Sequence, residues 1–144
     1  MTNATMTKFG WPASRVAETE RWAIALRPQQ PTAGALVVIC KEPVQAFADV
    51  SPEGFAEFGR VVGAVERMLT ETVGYERINW LMLMMVDPDV HFHVLPRSST
   101  PRSLAGLQVA DAGWPGPPSL GAFEEPDASR AEVMVAELRA RWSI

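Results

Sequence analysis

Residues 79–97 read Asn79-Trp-Leu-Met-Leu-Met-Met-Val-Asp-Pro-Asp-Val-His-Phe-His-Val-Leu-Pro-Arg97. Two apolar runs meet at a polar corner, Asp87-Pro88-Asp89, where proline and the short acids favour a turn. The pattern predicts a strand from Arg77 to Val86 and another from Val90 to Leu95. Pro96 should end the second, because it has no N–H for the ladder. Side chains alternate along a strand, so Asp89, His91 and His93 would line one face and Val90, Phe92 and Val94 the other. These are the only two histidines in the chain.

Upstream, Arg21 to Leu26 and Ala35 to Cys40 read as two further strands. The turn Pro28-Gln-Gln-Pro-Thr-Ala-Gly34 between them makes a hairpin. Ser51-Pro52-Glu53 is a helix start, with a side-chain cap, a proline at the first position and an early acid. Phe55, Phe58, Val62, Val65 and Leu69 then recur at helical spacing, and Gly74 supplies a stop. This predicts a helix over 52–73. Residues 97–126 are rich in Pro, Gly and Ser and should be irregular, with Trp114 as a pin. Asp127 would cap a last helix, about 127–142, whose apolar side is Met134, Val135, Leu138 and Trp142. Trp11-Pro12 suggests a packed N-terminal arm. A hairpin, a helix, a second hairpin and a final helix make an α+β domain with an antiparallel sheet.

The chain has 144 residues, 47% of them apolar and 21% charged, which is enough for one globular domain with a core. The net charge of −4 argues against a nucleic-acid polymer as partner. The longest apolar run, Trp80 to Val86, is too short to span a membrane, and the N-terminus lacks a secretion signal. A cytoplasmic protein is the expectation. The single cysteine, Cys40, lies in an apolar strand and reads as a buried thiol.

The histidine strand supports three readings. His91, central on its face, would suit a nucleophile toward phosphorus, since an imidazole attacks well when one ring nitrogen is free and the other donates a bond that fixes the tautomer. Alternatively, Asp89, His91 and His93 offer one carboxylate and two imidazoles, a set that suits zinc or iron. The third reading is an ordinary polar strand face. Beside these, Arg97 could fork onto a phosphate, Asn79 could contact a ligand, and Trp22 with the Leu36–Val38 strand could wall a base.

Asp89-Val-His-Phe-His-Val-Leu-Pro-Arg97 resembles the strand motif of the histidine triad (HIT) superfamily, with Asp89 in place of the first histidine. Residues Gly34 to Glu53 resemble that family's second strand, link and helix start, and the likeness covers roughly residues 20–98. It implies a single HIT-like domain over 1–144 and a homodimer whose sheets join. It also implies hydrolysis or transfer at the α-phosphate of a small nucleotide derivative, with no metal or other cofactor. His91 takes the place of the nucleophile, oriented by the carbonyl of Asp89, while His93 arranges the phosphate site.

Two departures bear on that reading. A carboxylate about 4 Å from a phosphate costs about 1–4 kcal/mol. Asp89 must therefore point elsewhere, pair with an imidazolium, or weaken the activity. The Gly-Gln-polar stretch that many members carry before the triad is missing. The alternative is a HIT-like nucleotide-binding protein with little or no turnover.

Overall fold

The computed structural model describes residues 2–144. Five strands form one antiparallel sheet: β1 (Arg15–Glu18), β2 (Trp22–Leu26), β3 (Leu36–Cys40), β4 (Arg77–Leu81) and β5 (His91–Arg97). Their order across the sheet is β1-β2-β3-β5-β4. A five-residue helix, α1 (Ala4–Lys8), precedes the sheet. The long helix α2 (Pro52–Thr72) connects β3 to β4, and α3 (Ala128–Arg139) closes the chain. A small hairpin, β6 (Arg102–Leu104) with β7 (Leu107–Val109), lies between β5 and α3. The architecture is the predicted α+β one, an antiparallel sheet with a central and a C-terminal helix.

The two faces of the sheet differ. Trp22, Ile24, Val38, Phe92 and Val94 face α2 and pack with its Val61, Val65, Met68 and Leu69. Burying side chains of this size stabilises by about 1.5–3 kcal/mol each, so this face carries most of the fold. α3 adds Met134, Val135 and Leu138 to the same core. The opposite face presents Ala23, Val37 and Ile39, covered by Met6 and Phe9 of the N-terminal segment. The register aligns Ile39 with His91 and Val37 with His93, so both histidines lie on this more thinly covered face.

Several helix signals act as the sequence suggests. Ser51 accepts from the Gly54 N–H at 2.9 Å, and Asp127 accepts from the Arg130 N–H at 2.8 Å. Gly74 takes a positive φ of 65° after α2, with its N–H on the Leu69 carbonyl. The apolar stripe of α2 is rotated from the expected one. Val61 and Met68 are fully buried, whereas Phe55 is 40% exposed and Val62 half-buried. Glu57 sets this phase: its carboxylate is buried under the chain and accepts the Arg21 N–H at 2.7 Å and the Thr19 hydroxyl.

The strand bounds also move. β4 stops at Leu81, five residues short of the predicted end, and 82–90 form a loop with Met84 at a φ of 53°. β5 runs through Pro96 to Arg97. The Arg97 carbonyl accepts from Glu76 on the β4 side, so the Pro96 nitrogen faces the β3 side, where the ladder has already ended at Leu36. No N–H is needed there. α1, β1 and the β6–β7 hairpin were not foreseen. The hairpin turns through Ala105 and Gly106, both at positive φ.

Candidate functional site

His91 and His93 project from β5 into a cleft of about 280 Å³. Its other walls are Lys8 and Phe9 at the end of α1, Arg27 and Gln29 after β2, and Leu83 to Asp87 in the 82–90 loop. The histidine rings stand nearly perpendicular, 5.2 Å apart. The Phe9 ring lies 6.1 Å from His91 and 5.7 Å from His93. Only 2% of His91 and 7% of His93 is exposed.

The hydrogen bonds assign both tautomers. His91 Nδ1 lies 2.7 Å from the Asp89 carbonyl oxygen. A carbonyl can only accept, so Nδ1 carries the proton and Nε2 keeps a bare lone pair. His93 Nδ1 lies 3.3 Å from Nε of Arg27. A guanidinium can only donate, so here Nδ1 accepts and the proton sits on Nε2. The neighbouring histidines therefore hold opposite tautomers, one offering a lone pair and the other an N–H.

Burial pushes the His93 imidazole down to about 4, and the Arg27 charge and His91 add to the effect. Asp87 opposes it. His93 is thus neutral at pH 7. Burial also lowers the Arg27 guanidinium, which nevertheless remains a cation. Arg27 donates Nη1 to the Gln29 carbonyl at 2.8 Å. Its position depends on the β2–β3 turn, which is built around buried Gln30. That side chain donates to the Arg27 and Ala35 carbonyls and accepts from Gly34.

Asp89 lies just before β5, and its side chain points away from the cleft. Oδ2 accepts the Thr5 N–H at 3.1 Å and the Thr5 hydroxyl at 3.0 Å, and Oδ1 accepts from Gln45 at 3.2 Å. Of the three outcomes open to this residue, it takes the first and points elsewhere. Asp89, His91 and His93 therefore do not converge. Among the described residues, no group of three His, Cys, Asp or Glu side chains could hold a metal ion.

Arg97 and Asn79 are together, but not at the histidines. Arg97 shares the histidine face and sits about 13 Å along the strand from His93 at ordinary strand rise. It is 4% exposed and bonded on three sides: to both Asp111 oxygens (2.6 and 3.0 Å), to Asn79 (2.7 Å) and to the Gly116 carbonyl (2.9 Å). Arg97, Asn79 and Gly116, with Trp114, line a separate cleft of about 500 Å³. Trp22, considered as a base wall, is fully buried on the α2 face, where its Nε1 donates to the Gly54 carbonyl. Sequence reasoning missed Arg27, Lys8 and Phe9. Arg27 directly follows β2, and only the register of β2 on β3, and of β3 on β5, brings it beside His93.

Cys40 is buried, its thiol pushed up to about 11 by burial, and it is not at the site. Among the described residues, no helix is long and apolar enough to cross a membrane.

No family model matches the chain, and no curated protein matches it. Among solved structures it resembles a histidine triad protein from Bradyrhizobium japonicum, with a TM-score of 0.76 at 16% identity over 99% of this chain and 98% of the other. A hypothetical histidine triad nucleotide-binding protein from Sulfolobus tokodaii gives 0.70 at 18%, over 95% and 88%. A zinc-bound histidine triad family protein from Mycobacterium smegmatis gives 0.63 at 21%, over 94% and 90%. At these identities the likeness is one of fold, and the chain carries the histidine triad fold.

Proposed function

We propose that this protein cleaves or transfers a nucleotidyl group, with His91 as nucleophile toward the α-phosphorus of a small nucleotide derivative. The observation that carries the reading is the 2.7 Å bond from His91 Nδ1 to the Asp89 carbonyl, which leaves Nε2 bare on a face with a cation nearby. In the first step the Nε2 lone pair forms a bond to phosphorus while the bond to the leaving group breaks and takes its electron pair away. The ring becomes cationic, and the Asp89 carbonyl stabilises the proton on Nδ1. His93 donates its Nε2–H to a phosphate oxygen, and Arg27 supplies positive charge behind it. Water then attacks phosphorus, the N–P bond breaks, and His91 is regenerated. No metal or other cofactor takes part in these steps.

Supporting this assignment are the fold, shared with a protein described as nucleotide-binding, and the complementary tautomers of the two histidines. We further propose a cytoplasmic homodimer. The sheet ends at β4, whose outer edge pairs with no other strand among the described residues, and a second sheet joining there would satisfy it. A monomer in light scattering would contradict that part.

A second reading has one observation in its favour. His91 is almost wholly covered, in part by Phe9, as suits a nucleotide-binding protein with little turnover. A panel of dinucleoside polyphosphates, nucleoside phosphoramidates and adenosine phosphosulfate separates the two. Turnover that falls by about 10⁴-fold in His91→Ala supports the enzyme. Binding without turnover supports the second reading. Neither binding nor turnover would sink both.

A further inference from the structure

Five residues are too few for a helix to persist in water unaided. α1 buries Met6, with Phe9 just beyond its end, and is otherwise held by polar ties. Asn3 donates to the Cys40 carbonyl at 2.9 Å. Thr5 is tied to Asp89 three times: its N–H and hydroxyl both donate to Oδ2, and its hydroxyl oxygen accepts the Asp89 N–H at 3.1 Å. Gln45 takes the other carboxylate oxygen. Both residues are buried, Thr5 completely. One polar atom of Asp89 remains, its carbonyl oxygen, and that atom accepts from His91 Nδ1.

The chemistry of His91 depends on this last bond. A free histidine ring prefers its proton on Nε2, which would turn the nitrogen left for the cleft from a lone-pair donor into an N–H. We infer that Asp89 is a positioning residue: by gripping Thr5 of α1 it holds its own carbonyl on His91 Nδ1, so that the N-terminal helix sets which nitrogen of His91 is bare. The tautomer claim stands by itself, and its consequence for turnover rests on the nucleophile reading above. The rival anchor is Val90, whose N–H belongs to the same peptide group as the Asp89 carbonyl and donates to the Val44 carbonyl at 3.3 Å. That bond is long, and the 2.8 Å bond from the Cys40 N–H reaches the Val90 carbonyl, one peptide further on, whereas the three Thr5 ties are buried and act on Asp89 itself.

Thr5→Val keeps the side-chain shape and removes the hydroxyl, while Thr5→Ser keeps the hydroxyl. With only two histidines in the chain, long-range ¹H–¹⁵N NMR of histidine-labelled protein reads each tautomer directly. Wild type should give Nδ1–H for His91 and Nε2–H for His93. Thr5→Val should move His91 to a mixture that includes Nε2–H and leave His93 unchanged, and Thr5→Ser should restore the wild-type pattern. On the best substrate, Thr5→Val should lower kcat several-fold with KM little changed. An unaltered His91 in both Thr5→Val and Asp89→Ala would overturn the inference and hand the role to Val44. A shift of both rings together would also overturn it, since that reports loss of the whole face. A shift of His91 alone, in a protein whose wild type turns nothing over, would leave the clamp standing and remove the nucleophile reading.

Discussion

At one end of β5, Arg97 gives donors to Asp111, Asn79 and Gly116, and the side chains of the Arg97–Asp111 pair are buried. At the other end, on the same face, His91 and His93 each make one bond to the protein and keep the second nitrogen for a cleft. Arg97 is the more charged group and the better phosphate fork in the abstract. It is nevertheless the more fully paired end, with four of its five N–H groups bonded, and it ties Asp111 and Gly116 to the strand. The end with spare valence carries the proposed chemistry. A polar group's role thus follows from what its own fold leaves unpaired, and residue type alone would have ranked these two ends the other way.

The largest expected effect belongs to the Arg97 end. Asp111→Ala leaves Arg97 buried and without its carboxylate, and breaking such a pair costs about 3–5 kcal/mol. Urea unfolding should register that loss, while the histidine cleft keeps its ligand affinity in whatever fraction stays folded. Impaired binding without destabilisation would reverse the roles of the two ends.

Next in size is a pH dependence from the open end. The folded-state value of His93 is about 4, below the ordinary 6.5. The unfolded chain therefore binds the extra proton between those values, so stability is full above about 6.5 and falls as pH drops toward 4. The loss is on the order of 2–3 kcal/mol across that window. Urea midpoints at pH 7.5 and 4.5 should differ by more in wild type than in His93→Gln. Equal differences would remove His93 as the cause.

Arg27→Gln should then lower kcat/KM by about 10–100-fold, since the charge behind His93 is lost within a desolvated site. It should also raise the His93 imidazole, visible in its NMR titration. Smallest is Lys8→Ala. Lys8 pairs with Asp87 at 3.2 Å, but its side chain is 56% exposed, and such pairs contribute about 0–1 kcal/mol. A change of a few-fold in KM is expected, and a larger one would make Lys8 a principal phosphate contact.

Much of the fold was legible because its signals are local. Ser51, Gly74 and Asp127 mark helix ends by their own hydrogen-bonding chemistry. The alternation from Asp89 to Val94 put both histidines on one face without knowledge of the neighbours. The misses share a cause as well. α1 lacks a period of its own and exists by docking on a sheet assembled from distant segments, and β1 is a short strand whose irregular register against β2 hides its alternation. The phase of α2 is set by Glu57 reaching back to Thr19 and Arg21, a contact that apolar spacing cannot report. Arg27 joins the site, and Trp22 leaves it, through strand register and sheet face. The side chain of Asp89 turns from the cleft because Thr5, 84 residues earlier, offers it two donors.

The central claim, that His91 Nε2 attacks phosphorus, is tested most directly by trapping the intermediate. Wild-type protein mixed with substrate and quenched within milliseconds would be examined as the intact chain and then as peptides. The account predicts a mass increment of one nucleotidyl group, mapped to His91 and absent from His91→Ala. Rapid turnover with no increment at any quench time, or an increment on another residue, would contradict it.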